Sequence, residues 1–242
     1  ARQYLSKAEA MEKSASGHSS VVDLYLDTLR KDQRYDEVFT IAAKYTETPF
    51  APMAYSQMAQ AQLDMGNRSK AKEHFLKGLE KSGKSDTHIY SLLNIMLNTL
   101  GDQDVRQWCQ EKLRDNPNSV PAHLTMYNLS MQQNKYNQAI EHIDQCLEQI
   151  STENTQWSVW MMKKTNVYIN AYMSTDDNTY LTEAIEGYQK ILDEYPNHTT
   201  AMNNLAYLWA SNDQQIEKAL TYAKKVHEAH PNVPNYMDTY AF

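Results

Sequence analysis

Glycine and proline are scarce in this sequence, 6 and 7 of 242 residues. An all-β fold needs tight turns at short intervals, and so few turn-formers exclude it. Two cysteines, Cys109 and Cys146, are too few for a disulfide framework, and neither sits in a CxxC motif. No apolar run approaches the length of a membrane span, and no signal peptide opens the chain. Glycine-rich phosphate loops are missing as well. Cations are in deficit: 23 Lys and Arg stand against 30 Asp and Glu, a net charge of −7. That balance offers no field for a phosphate backbone, so nucleic acid is not an expected partner. The chain begins Ala1-Arg2-Gln3 and stops at Tyr240-Ala241-Phe242, and we expect it to be a piece of a longer protein.

What is abundant is uncharged polarity. Charged residues are only 22% of the chain, yet mean hydropathy is −0.71. The difference is made up by 17 Gln and 18 Asn, beside 17 Tyr, 12 Met and 4 Trp. This composition fits a soluble helical or mixed protein rather than a disordered or collagen-like chain.

The prolines are periodic. They cluster at Pro49 and Pro52, Pro117 and Pro121, Pro196, then Pro231 and Pro234, at steps near 34 residues or its double. Between these breaks the apolar residues fall at helical spacing. First-helix stripes run Val22-Tyr25-Leu26-Leu29, Ile89-Leu92-Leu93-Met96, His123-Met126-Tyr127 and Met202-Leu205-Ala206-Trp209. Each is followed by a stripe that mixes small and large residues: Val38-Ala42-Tyr45, Ala71-Phe75-Gly78, Val105-Cys109-Lys112, Ala139-Ile143-Cys146, Ala184-Tyr188-Ile191 and Ala219-Ala223-Val226. A single helix pair cannot bury its apolar face alone, so the pairs must stack, and small residues allow close crossings. Ser85, Ser119 and Thr199 stand where N-caps are needed. Gly66, Gly101 and Asn134 stand at the turn inside a pair.

On these residues the chain resembles the tetratricopeptide repeat (TPR) family. Ala59, Gly66-Asn67, Ala71, Phe75 and Gly78 stand at the family's small–turn–small–aromatic–small spacing, and the stretch from Asn203 through Ala219, Ala223 and Pro231 is similar to bacterial TPR proteins. The resemblance implies an all-α fold, a right-handed α-α superhelix of antiparallel helix pairs. It places a second helix of a preceding repeat at 1–17, repeats at 18–51, 52–85, 86–119, 120–153, 154–198 and 199–233, and the start of another at 234–242, all in one solenoid domain. The unit 154–198 departs from the pattern. It has a long first helix from Trp157 to about Met173, lysines at 163 and 164 among its apolar positions, and a polar insert Ser174–Asn178.

No set of residues suggests chemistry. His227 and His230 are three apart rather than the four of a metal helix, and the other histidines lack ligands at workable spacing. No catalytic residue, metal or cofactor is expected. Both cysteines fall on packing stripes, where a thiol acts as a small hydrophobe.

In TPR proteins the first helices line a concave groove, and the resemblance implies the same here. Carried over helix by helix, the groove positions are Asp23, Asp27 and Arg30, then Ser56, Gln60 and Asp64. The peptide- or partner-binding residues are expected to be Tyr90, Asn94, Asn98, Leu124, Asn128, Met131, Thr165, Asn166, Asn203 and Tyr207. An asparagine amide donates and accepts at once, which suits capture of an extended main chain. The expected function is a non-catalytic protein–protein interaction scaffold. One rival is the repeat region of a longer enzyme. Another is self-association through the incomplete end repeats, with Leu5, Ala8 and Met11 at one end and Tyr236, Met237 and Tyr240 at the other. Cytoplasm and bacterial cell envelope both remain open as locations.

Overall fold

The computed structural model describes residues 15–241, with side chains for 21–240; the expected helix within 1–17 and its residues Leu5, Ala8 and Met11 lie outside them, save for its last three positions. The described residues form thirteen α-helices and no strand. In chain order these are α1 (Ala15–Lys31), α2 (Tyr35–Ala42, continued by a 3-10 turn at Ala43–Tyr45), α3 (Ala51–Asp64), α4 (Arg68–Lys81), α5 (Asp86–Leu100) and α6 (Asp102–Asp115). They continue as α7 (Val120–Gln132), α8 (Tyr136–Leu147), α9 (Thr155–Thr175), α10 (Asn178–Glu194), α11 (Thr199–Ser211), α12 (Ile216–Ala229) and α13 (Pro234–Ala241). The first six belong to one compact unit ending at Asp115, and the rest to a second beginning at Asn116.

The turn inside each pair is built the same way. Positive φ reverses the chain at Gln33 (φ 59°), Gly66 (79°), Gly101 (82°), Asn134 (54°) and Asp176 (57°), and at Asp213 (53°) together with Gln215 (44°). In four of these turns the next residue donates its N–H back across five residues. The bonds are Arg34 to Leu29 (2.9 Å), Asn67 to Gln62 (2.7 Å), Lys135 to Ser130 (2.9 Å) and Gln214 to Trp209 (2.8 Å). This satisfies carbonyls that a helix end leaves open.

In the first unit α1 packs on α2, α3 on α4 and α5 on α6, while α1, α3 and α5 neighbour one another in turn. The core is the sequence stripe. Ala71, Phe75 and Gly78 of α4 are buried, as are Val38 and Ala42 of α2 and Val105 and Cys109 of α6. Against them lie Val22, Leu26 and Leu29 of α1, Met58 and Ala59 of α3, and Ile89, Leu93 and Met96 of α5. A side chain such as Phe75, fully buried, contributes about 1.5–3 kcal/mol over leaving it in water.

The second unit repeats the plan with α7 on α8, α9 on α10 and α11 on α12. Ala139, Ile143 and Cys146, then Ala184, Tyr188 and Ile191, then Ala219, Ala223 and Val226 form its second-helix stripe, all buried. The long repeat takes up its extra residues inside its helices: α9 has 21 residues and α10 has 17. Ser174 and Thr175 end α9, and Asp177 caps α10 by accepting from the Thr179 N–H at 2.9 Å. The expected polar insert is therefore a pair of helix ends. The lysines of α9 are paired: Lys164 Nζ lies 2.7 Å from Asp144, and Lys163 Nζ lies 5.3 Å above the Tyr127 ring.

Two expected caps differ. Ser85 does cap α5, accepting from the His88 N–H at 3.4 Å. Ser119 holds the N-cap position of α7 without a side-chain bond. At α11 the cap is His198, whose Nδ1 accepts from the Ala201 N–H at 3.2 Å, so Thr199 falls inside the first turn.

Candidate functional site

The first helices of the first unit enclose a pocket of about 180 Å³. Asp23 enters it from α1, Pro52, Met53, Ser56, Gln57 and Gln60 from α3, and His88, Ser91, Leu92 and Ile95 from α5. Gln57 is only 5% exposed, and its Nε2 donates to Asp23 Oδ1 at 2.7 Å. Gln57 Oε1 is buried and has no hydrogen-bond partner. Ser56, also 5% exposed, accepts at Oγ from Gln60 Nε2 at 3.3 Å. Further along the same two helices Arg30 bonds Asp27 and Asp64, both at 2.8 Å. The Asp27 carboxyl is held below its ordinary value, first by its hydrogen bond to Lys31 and also by Arg30, against an opposing push from burial.

Of the residues expected to bind on α5, none lines this pocket. Tyr90 and Asn94 are half-buried and Asn98 is exposed. At about 100° per residue Asn94 and Asn98 fall beside the stripe of Ser91 and Ile95, and Tyr90 lies farther round the helix. Asn94 uses one amide hydrogen on its own helix, donating to the Tyr90 carbonyl at 3.0 Å. Sequence reasoning missed Gln57, His88 and Ser91. The signal was present: Asp23, Gln57 and Ser91 recur at a 34-residue step and so occupy one position in three successive repeats.

In the second unit, Leu124, Asn128 and Met131 of α7 are half-buried, Asn166 of α9 is exposed, and Tyr207 of α11 is 50% exposed. Thr165 is a correction. It is fully buried, its Oγ1 donates to the Met161 carbonyl at 2.9 Å, and it packs on Gly187 of α10. It is a packing residue because the stripe of the long helix is rotated by one position from the expected register. Asn203 is also largely buried, at 6% exposed.

Asn166 and Asn203 are brought to the two ends of one hydrogen-bonded chain. Asn203 Nδ2 donates to Asn204 Oδ1 (3.4 Å), Asn204 Nδ2 to the Tyr188 hydroxyl (3.1 Å), and that hydroxyl to Asn166 Oδ1 (3.3 Å). Tyr188 is buried at the position that Phe75 holds in the second repeat, and burial raises its phenol above the ordinary value. Its hydroxyl, carried into the core, needs partners on both sides, and the asparagines supply them.

Among the described residues no three His, Cys, Asp or Glu side chains are grouped to hold a metal ion. The Cys109 thiol is buried and pushed up to about 12 by desolvation, which keeps it protonated. No described helix is long and apolar enough to cross a membrane.

No protein-family model matches the sequence. No curated protein matches it either. Solved structures do. The C-terminal part of a TPR repeat-containing protein from Cytophaga hutchinsonii is 17% identical, with 90% of this chain and 83% of that chain covered, at a TM-score of 0.55. Yeast Tom70 is 11% identical over 100% of this chain and 56% of its own, at a TM-score of 0.57. A structure of Naa15/Naa10 bound to HypK-THB is 12% identical over 98% of this chain and 36% of its own, at 0.54. With its helix pairs, their turns and their small-residue crossings, the chain folds as a tetratricopeptide-type repeat array.

Proposed function

We propose that this chain is a non-catalytic protein-interaction scaffold that binds a peptide or a partner helix on the face of its first helices, with repeats at 18–51, 52–85, 86–119, 120–153, 154–198 and 199–233. The observation that carries this reading is where charge is placed. Helices α7 and α11 contain no charged residue, α3 has only Asp64, α5 only Asp86 and α9 only Lys163 and Lys164, while α1 is the charged exception with Asp23, Asp27, Arg30 and Lys31. By contrast, seven of the 14 residues of α4 are Lys, Arg or Glu. A face kept wet needs charge, whereas the centre of a recognition surface is depleted in Lys, Glu and Asp and enriched in aromatic residues and Met. The first helices carry Tyr90, Leu124, Met131 and Tyr207 outside the core, with Asn98, Asn128 and Asn166 beside them. The likeness to the Naa15/Naa10 structure, solved with HypK-THB bound, supports a role in assembly.

Selection of a random-peptide display library on the immobilised chain, followed by fluorescence anisotropy of synthesised winners, tests the reading. Within the second unit, Asn128→Ala and Tyr207→Ala should each weaken binding by about 1–3 kcal/mol, as expected for lost hydrogen bonds or a lost aromatic anchor. Lys224→Ala, on the charged second helix α12, should change nothing. Binding that is lost with Lys224→Ala and kept by the other two would move the site to the second helices.

A further inference from the structure

The pocket of the first unit has a chemistry more specific than the face around it. We propose that it receives the cationic side chain of a lysine or arginine from a bound peptide, with Asp23 as its counter-charge. This rests on reading the first helices as a peptide-binding face and narrows what that face selects.

Asp23 is held, half-buried, by the Gln57 amide at 2.7 Å. Among the described residues no cation pairs with it, although Asp27 and Asp64 on the same two helices are both taken up by Arg30. A carboxylate accepts only, so it fixes the amide of Gln57 with Nε2 inward and Oε1 on the other side. That leaves Oε1 buried and without a partner. An unpaired buried acceptor is a standing cost, so the side chain of Gln57 is held in place for Asp23 at the expense of its own oxygen. A carboxylate in the lining with no cation of the described residues against it defines the complement: a group with N–H donors and a positive charge.

The rest of the lining fits the stem of such a side chain. Met53, Leu92 and Ile95 present aliphatic surface, and His88 and Ser91 stand on the α5 wall. Lysine and arginine bury their methylenes along apolar surface while the head group seeks a polar partner. A volume of about 180 Å³ suits one such side chain rather than a folded ligand.

The experiment selects a random-peptide display library on the wild-type chain and on Asp23→Asn in parallel. Asparagine keeps an oxygen for Gln57 Nε2 and removes only the charge, and an unchanged thermal midpoint checks the fold. Wild-type winners should be enriched in one lysine or arginine position that the Asp23→Asn pool lacks. A synthesised winner should bind Asp23→Asn about tenfold more weakly, in line with a lost charge-assisted hydrogen bond. Norleucine in place of its basic residue should cost the same factor, and the two changes together should cost no more than either. The side-chain amide resonance of Gln57 should move on binding the basic peptide and not the norleucine one, a readout that needs no protein variant. Winners that bind the first helices without a basic preference, and equally well to Asp23→Asn, would overturn this assignment and leave the broader reading standing. Failure to obtain any peptide that competes at the first helices would overturn both.

Discussion

Gly187 lies so close to Thr165 that a Cβ built on it would stand 2.4 Å from Thr165 Oγ1 and 3.2 Å from its Cγ2. The two residues set how closely α10 approaches α9. Thr165 has nowhere to turn, being fully buried with its hydroxyl engaged by Met161. Gly187→Ala should therefore destabilise the chain. Alanine gains up to about 1 kcal/mol in helix propensity, but overpacking costs about 1–3 kcal/mol. Adding Thr165→Ala removes both clashing atoms, so the double variant should be more stable than the sum of the singles. Urea midpoints of the four proteins check this.

Tyr188→Phe should cost about 0.5–1.5 kcal/mol, the usual worth of an intramolecular hydrogen bond. The ring still fills its place, but Asn204 loses an acceptor and Asn166 a donor. The urea midpoint should fall with no change in slope, because the packing and the exposed area are unaltered. A midpoint equal to that of the wild type would show that the chain of asparagines contributes nothing to stability.

The fold was legible in the sequence because its signals repeat. Ala71, Phe75 and Gly78 mark one crossing, and five further stripes in phase turn a degenerate pattern into an architecture. The candidate site was less legible. Thr165 was misplaced because α9 is longer than its counterparts, and in a helix of 21 residues the repeat phase is no longer fixed by its neighbours. The pocket was missed for a different reason. Its polar pair, Gln57 and Asp23, is 34 residues apart in sequence and is joined only when two first helices lie side by side. Residue type alone does not distinguish Gln57, which is buried, from Gln60 three positions on, which is half-exposed.

Acid should destabilise the first unit through His74. Its ring lies 6.2 Å from those of both Phe39 and Tyr55, and its Nδ1 is buried without a partner. Burial, and secondarily Lys77, lowers its pKa below 6.5. The folded state thus takes up a proton less readily than the unfolded one. Above pH 6.5 the group is neutral in both states and costs nothing; as pH falls below 6.5 stability is lost, down to the lowered folded value. His74→Phe should flatten that part of the stability–pH curve, measured by thermal midpoints. A curve as steep as that of the wild type would place the acid sensitivity elsewhere.

Gln33→Gly should stabilise the chain by about 0.5–1 kcal/mol, because a side chain in the left-handed region is strained and glycine is not. Gln33 sits at φ 59° in the turn between α1 and α2, where the next two turns carry Gly66 and Gly101. The mirror experiment is Gly66→Ala. A Cβ there would meet nothing within 4 Å, so any loss of stability reports backbone strain alone. Opposite shifts in the urea midpoint are the expected outcome.

The lengthened helices α9 and α10 have a bearing on how such a chain can change over generations. Arrays of this kind are usually thought of as growing by copying a whole unit, which displaces everything downstream by one place. Here the bonds between neighbouring units span unequal lengths of chain. Asp23 and Gln57 are 34 residues apart, Tyr136 and Ser174 are 38, and Tyr195 and the Thr152 carbonyl are 43. The tyrosines reach the adjoining unit across a longer stretch of chain. Extra length of a turn or two in one unit is thus accommodated where it lies, with the bonds to its neighbours still made.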